Sequence, residues 1–192
     1  MTGHRVKQYS MVERGPRPVQ VPQPKEPVRY KLIVVGEPTA GKSALVRRWA
    51  EDAFSTKYEA TVGVDFYAKN LGGVVVSVWD MSGLPEFFEV RNEFYKDCQG
   101  LCLLFDITNR RTFDALDMWL REANKFGADK ASLYTAVVGT KLDMGSRRVV
   151  TRQEAESWCE SRRFDYFEAS GSTGQGVPQL FEAVAAKARQ MA

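Results

Sequence analysis

Leu32-Ile33-Val34-Val35 runs straight into Gly36-Glu37-Pro38-Thr39-Ala40-Gly41-Lys42-Ser43, and a helical pattern from Ser43 to Ala50 follows. The eight central residues match G-x-x-x-x-G-K-[ST], set between a strand and a helix as a phosphate-binding loop requires. Two glycines let the backbone curl until successive N–H groups, from Thr39 and Ala40 through Ala44, point at phosphate oxygens. The helix N-terminus adds partial positive charge at the same place. Lys42 reaches terminal phosphates, and the Ser43 hydroxyl suits Mg²⁺.

Outward from this loop, strand and helix patterns alternate, which predicts an α/β fold: a phosphate-loop domain with a six-stranded, mostly parallel sheet and helices on both faces. The expected strands are Tyr30–Val35, Asp65–Leu71, Val74–Trp79, Leu101–Phe105, Leu133–Val138 and Tyr166–Glu168. Leu71-Gly72-Gly73-Val74 reads as a hairpin turn, so the second and third strands form the one antiparallel pair. Leu101–Phe105 and Ala136–Val138 are unbroken apolar runs, the mark of strands covered on both faces. Phe113, Leu116, Trp119 and Leu120 repeat at helical spacing. Thr151 and Glu154 form a capping-box pattern, and Pro178 suits the first turn of a last helix whose apolar face runs from Val177 through Leu180, Phe181 and Val184 to Ala188.

The 192 residues carry 27 Lys and Arg against 24 Asp and Glu, a net charge of +3. Residues 1–29 hold six basic and two acidic residues, so the remainder is close to neutral at −1. Five prolines, at 16, 18, 22, 24 and 27, make this stretch a basic, extended and disordered arm by composition, with the globular domain at 30–192. The domain itself has no basic footprint for nucleic acid. Cys98, Cys102 and Cys159 form neither a disulfide framework nor a paired C-x-x-C, and the single His4 lies in the arm. A reducing compartment is the default; Cys98 and Cys102, four apart, read as buried thiols in preference to a redox pair. No stretch approaches a membrane span, and there is no secretory leader.

A phosphate loop alone allows kinases, ATPases and GTPases. Asp80-Met81-Ser82-Gly83 ends the third strand with D-x-x-G: the Asp80 carboxylate can hold Mg²⁺ through water and the Gly83 N–H can meet a γ-phosphate. Thr140-Lys141-Leu142-Asp143 follows the fifth strand. Asp143 can accept both N1–H and N2–H of guanine, a match adenine lacks, while the Lys141 stem covers base and ribose. In Glu168-Ala169-Ser170-Gly171-Ser172, backbone amides can reach the guanine O6. Thr61, within Tyr58-Glu59-Ala60-Thr61-Val62-Gly63, can close over the γ-phosphate and add a second hydroxyl to Mg²⁺, so its loop would order with GTP and relax with GDP. A general phosphate-loop kinase lacks both an acceptor lid here and a role for Asp143.

With these motifs in this order, the chain resembles the Ras superfamily of small GTPases from Tyr30 to its end. Thr61-Val62-Gly63-Val64-Asp65-Phe66, Trp79-Asp80 and Phe105-Asp106-Ile107-Thr108-Asn109 are similar to Rab-type proteins. Glu89-Val90-Arg91-Asn92-Glu93-Phe94-Tyr95-Lys96-Asp97, then Gln99-Gly100, resembles the Rab-like RJL family, in its short form without a J domain. The resemblance implies that Phe54 stacks on the guanine and Tyr58 lies over the phosphates. It also implies that Ser55–Asp65 and Gly83–Tyr95 are nucleotide-sensitive switches for effector and exchange proteins. Trp79, Phe66 and Tyr95 suggest an aromatic effector patch or, equally, plain core.

The chain departs from that family at Leu84, where glutamine usually orients the attacking water, and at Pro38, beside the entry of a partner's arginine finger. Both act on hydrolysis, with Glu86 and Glu89 as the nearby groups that would have to substitute. Thr140 replaces the commoner asparagine and Ser172 the usual lysine. No cysteine follows Cys159 to carry a prenyl chain, and Gly3 is misplaced for myristoylation. The expectation is a monomeric, cytoplasmic, partner-recruited protein without a lipid anchor; the family resemblance adds a flagellar or ciliary link. It would bind GTP, GDP and Mg²⁺ and hydrolyse very slowly as a GTP-biased switch; the alternative is a scaffold that holds GTP without cycling.

Overall fold

Strand β1, Val28–Val35, is the centre of the molecule, because its side chains alternate into two separate cores. Leu32 and Val34 pack on one side with Leu45, Val46, Phe181 and Val184. Ile33 and Val35 face the other side with Leu103, Phe105, Leu116 and Trp119. The computed structural model describes residues 27–128 and 133–190. The expected arm lies outside these residues except at its end: β1 takes in Val28 and Arg29, two residues before the boundary read from composition.

The remaining strands are β2 (Val64–Leu71), β3 (Val74–Met81), β4 (Gly100–Asp106), β5 (Tyr134–Thr140) and β6 (Asp165–Glu168). The sheet order is β2-β3-β1-β4-β5-β6. Among the described residues only β2 and β3 pair antiparallel. Their turn uses Gly72 at φ 60° and Gly73 at φ 90°, the pair of positive angles a tight hairpin demands. All seven residues of β4 are buried, as its unbroken apolar run predicts.

The helices are α1 (Lys42–Glu51), α2 (Phe88–Asn92), α3 (Arg110–Asp114), α4 (Leu116–Lys125), α5 (Arg152–Glu160) and α6 (Val177–Gln190). α1 and α6 cover one face and are joined by Trp49 stacked on Phe181 at 4.2 Å. Thr151 caps α5 by accepting from the Glu154 N–H at 3.2 Å, but the capping box is only half made. The Glu154 carboxylate turns to Arg110 instead, where a charge-assisted, two-toothed pairing outcompetes one backbone N–H. Cys98, Cys102 and Cys159 are all buried, in keeping with core packing.

β1 sits between β3 and β4, so the connection after β1 runs toward one edge of the sheet and the connection after β3 toward the other. A crevice opens at such a point. The loops after β1, β3, β5 and β6, and the segment leading into β2, all meet along that rim.

Candidate functional site

The loop after β1 is bent around its own lysine. Lys42, buried at the start of α1, donates through Nζ to the carbonyls of Gly36 and Glu37, both at 2.9 Å. Burial lowers its pKa to about 8, against the opposing pull of Asp80 and Glu37. Gly36 has φ 149°, and a Cβ there would lie 2.3 Å from the Leu104 carbonyl oxygen, so no other residue fits this start of the loop. Gly41 stands just before α1 without a side-chain cap, leaving the first-turn amides to a ligand.

Three oxygen groups gather beside it. The Ser43 and Thr61 hydroxyls are 2.8 Å apart. Both Asp80 carboxylate oxygens are buried without a hydrogen-bond partner. Burial raises the Asp80 pKa to about 6, although the Ser43 hydroxyl and Lys42 pull it down. An orphaned carboxylate next to two hydroxyls is a donor set for a hard divalent cation. Among the described residues no cluster of three or more His, Cys, Asp or Glu exists. The set therefore fits Mg²⁺ that takes its other ligands from water and phosphate, as Mg²⁺ usually does.

The open side of the crevice is lined by Pro38, Thr39, Gly41, Lys42, Ser43, Ala44, Phe54, Tyr58, Thr61, Gly83, Leu84 and Lys141. Every residue from Glu51 to Ala60 is exposed, Phe54 at 40% and Tyr58 at 61%, so this wall has little packing to hold it. The first expected switch overlaps the sheet at its end, where Asp65 in β2 lies opposite Asp80 in β3. The Ser82 N–H donates to the Gly63 carbonyl at 2.8 Å, joining the first expected switch to the residue just before the second.

The loops expected to read the base arrive from β5 and β6. The Thr140 hydroxyl lies against the Ala40 and Phe105 carbonyls, tying β5 to the phosphate loop. Lys141 lines the crevice and its Nζ is paired with Asp106 at 2.7 Å. Asp143 accepts from the Ser170 hydroxyl, which fixes one carboxylate oxygen. Gly171 and Ser172 complete this loop, with their carbonyls held by Arg48 at 2.9 Å each.

Leu84 lines the crevice, and its backbone is pinned at both ends. Its N–H donates to the Ser82 hydroxyl at 3.3 Å and its carbonyl accepts from Arg91 Nη1 at 2.8 Å. Arg91 is itself buried and gripped by Glu122 at 2.6 and 3.0 Å, under the Trp119 ring. Trp119 Nε1 donates to Glu37 at 3.0 Å, so the latch runs from the second expected switch through α4 to the loop after β1. Glu86 and Glu89 are exposed and absent from the crevice lining.

Of the two readings open for Tyr95, effector patch or core, the structure gives core. Tyr95 is fully buried and donates to Glu122 at 2.8 Å, so it belongs to the latch and not to an effector patch. Phe94 stands in its place: Phe66, Trp79 and Phe94 form a row with ring spacings of 4.7 and 5.0 Å, and Phe66 is 53% exposed. Neighbouring residues in an irregular segment point apart, and spacing alone does not choose between them. The sequence assigns no role to Arg48, Arg91, Glu122 or Asp106, because the contacts that place them, Arg48 on Gly171 and Ser172, Arg91 on Glu122 and Lys141 on Asp106, join residues with no local pattern between them.

A family model described as the Ras family matches residues 31–190. DnaJ homolog subfamily C member 27 of Danio rerio is 40% identical over 165 residues, covering 82% of this chain and 60% of the relative. The Rattus norvegicus protein of that name is 40% identical over 172 residues, and the Homo sapiens one 38%, each covering 84% of this chain and 63% of the relative. The chain thus spans about three fifths of the length of these curated relatives.

Proposed function

The chain belongs to the Ras family, and from that premise we propose that it is a GTP- and GDP-binding, Rab-like regulatory protein with very slow hydrolysis, biased toward its GTP form. The observation that carries this reading is Leu84, an apolar side chain on the crevice wall with its backbone tied at both ends. A leucine neither donates to nor accepts from a water. Phosphoryl transfer depends on positioning and charge stabilisation, and the positioning half is missing.

Binding does not need that group. Lys42, with the amides of Gly41–Ala44, holds phosphates; Ser43, Thr61 and Asp80 would hold Mg²⁺, which supplies charge neutralisation between the phosphates. Asp143, oriented by Ser170, reads the guanine edge, and Lys141 and Phe54 flank the base. Effector and exchange proteins would meet the exposed Val62, Phe66 and Val90 beside the aromatic row. Among the described residues no helix is long and apolar enough to cross a membrane. A cytoplasmic protein recruited by partners is part of the same proposal and rests on the family resemblance.

The Arg91–Glu122 latch favours a second reading, a module that holds GTP without cycling, because it fixes the second switch through the protein's own residues. The rate of GDP release separates the two, since a switch must release GDP when an exchange protein acts. The primary test is to identify the co-purified nucleotide and compare single-turnover hydrolysis with Leu84→Gln. Slow hydrolysis that the glutamine accelerates supports the proposal; prompt hydrolysis unimproved by it removes the slow-hydrolysis claim. Equal binding of ATP and GTP removes the whole reading.

A further inference from the structure

Arg48 sends its guanidinium in two directions from α1. Nη1 meets the carbonyl and carboxylate of Asp52, at 3.1 and 2.8 Å, where the helix ends. Nε and Nη2 meet the carbonyls of Gly171 and Ser172, at 2.9 Å each, more than a hundred residues away. The first pair is exposed at the Asp52 side and contributes little. The second uses the planar fork of the guanidinium on two successive peptide groups, a geometry lysine does not reproduce.

Fixing two carbonyls fixes two amides. In a trans peptide the carbonyl and the following N–H lie in one plane and point in opposite directions. Drawing the Gly171 and Ser172 carbonyls toward α1 therefore turns the N–H groups of Ser172 and Thr173 away from it. The Thr173 N–H is used inside the loop, donating to the Ser170 hydroxyl at 3.1 Å. The Ser172 N–H remains, on the side where Ser170 holds Asp143. The loop has no slack along α1: a Cβ on Gly171 would lie 2.8 Å from the backbone carbon of Ala44. Ser172 has no long side chain of its own to brace the loop.

We propose that Arg48 is a positioning residue for base recognition, aiming the Ser172 amide at the purine's 6-oxo group by holding the two carbonyls behind it. This rests on the guanine-nucleotide reading above and adds a specific determinant to it. Asp143 would read the 2-amino edge independently, through Ser170 and not through Arg48.

The test compares dissociation rates of GDP, 6-thio-GDP and inosine diphosphate from the wild type, Arg48→Gln, Arg48→Lys and Asp52→Asn. Loss of one aimed hydrogen bond should speed GDP release about tenfold in Arg48→Gln. The ratio of 6-thio-GDP to GDP release should shrink, because the sulfur analogue already lacks a good acceptor. The ratio of inosine diphosphate to GDP release should hold, because it reports on Asp143. Arg48→Lys, which keeps the charge and guards against a variant that fails to fold, should lie between, and Asp52→Asn should stay close to wild type. Equal acceleration of all three nucleotides in Arg48→Gln, or no change, overturns the proposal while guanine selectivity of the wild type stands. A wild type that does not prefer guanine overturns the underlying reading instead.

Discussion

Replacing Glu122 by leucine should destabilise the protein far more than its position beside a surface groove suggests. The Arg91 and Glu122 side chains are 5% and 9% exposed. The substitution deletes the bonds of 2.6 and 3.0 Å from Arg91 and orphans the Tyr95 hydroxyl that donates at 2.8 Å. Arg91 keeps only the Leu84 carbonyl at 2.8 Å, a long contact to Ser82 at 3.5 Å and the faces of Trp119 and Phe88. Breaking a buried pair from one side costs about 3–5 kcal/mol, because the remaining charge is left in low dielectric. The Tyr95 loss overlaps with that figure, since the three groups form one network. For a domain of this size each kcal/mol moves the melting point by roughly 2–4 °C, so a drop of about 6–20 °C is expected. Thermal and urea unfolding at one fixed nucleotide concentration measure it, fixed because bound ligand shifts the midpoint. Removing both charges together, as Arg91→Met with Glu122→Leu, should recover most of the loss, and adding Tyr95→Phe should recover more. A single substitution costing less than about 1 kcal/mol, or a double variant no better than the single, would refute the reasoning.

Thr140→Val keeps the shape and removes the hydroxyl between the Ala40 and Phe105 carbonyls. One buried acceptor left short should speed nucleotide release roughly tenfold with little change in guanine preference, read by stopped-flow displacement of a fluorescent GDP. Glu168 gives a pH signature. Burial pushes its pKa up, but the Arg148 pair at 2.7 and 3.1 Å and the Tyr166 hydroxyl outweigh it, so the folded pKa is depressed. The stabilisation is present above the unfolded pKa and is lost as pH falls through the folded one. The stability gap between wild type and Arg148→Met, measured by urea unfolding, should therefore narrow from pH 7 to about pH 3.5; a constant gap would show that Arg148 acts only through packing.

The parts of the fold visible in the sequence are those written locally. Apolar runs, a two-glycine turn and a helix cap each depend on neighbours in the chain, and β4, the β2–β3 hairpin and Thr151 follow them. The phosphate loop and Asp80 were legible for the same reason: fixed spacing after a strand forces fixed geometry. What the sequence hid is held by pairs with no spacing rule. Trp119 reads as one more apolar position on a helix, yet its indole N–H crosses to Glu37, 82 residues earlier. Tyr95 and Phe94 have similar side chains in adjacent positions, and only the presence of Glu122 decides which goes inside.

The contact between Gly63 and Ser82 uses backbone atoms alone. Side-chain replacements on either flank leave that stitch in place, so the surface around it can change without loosening it. A pull on one segment is carried to its neighbour through a seam that no ordinary side-chain replacement unpicks directly.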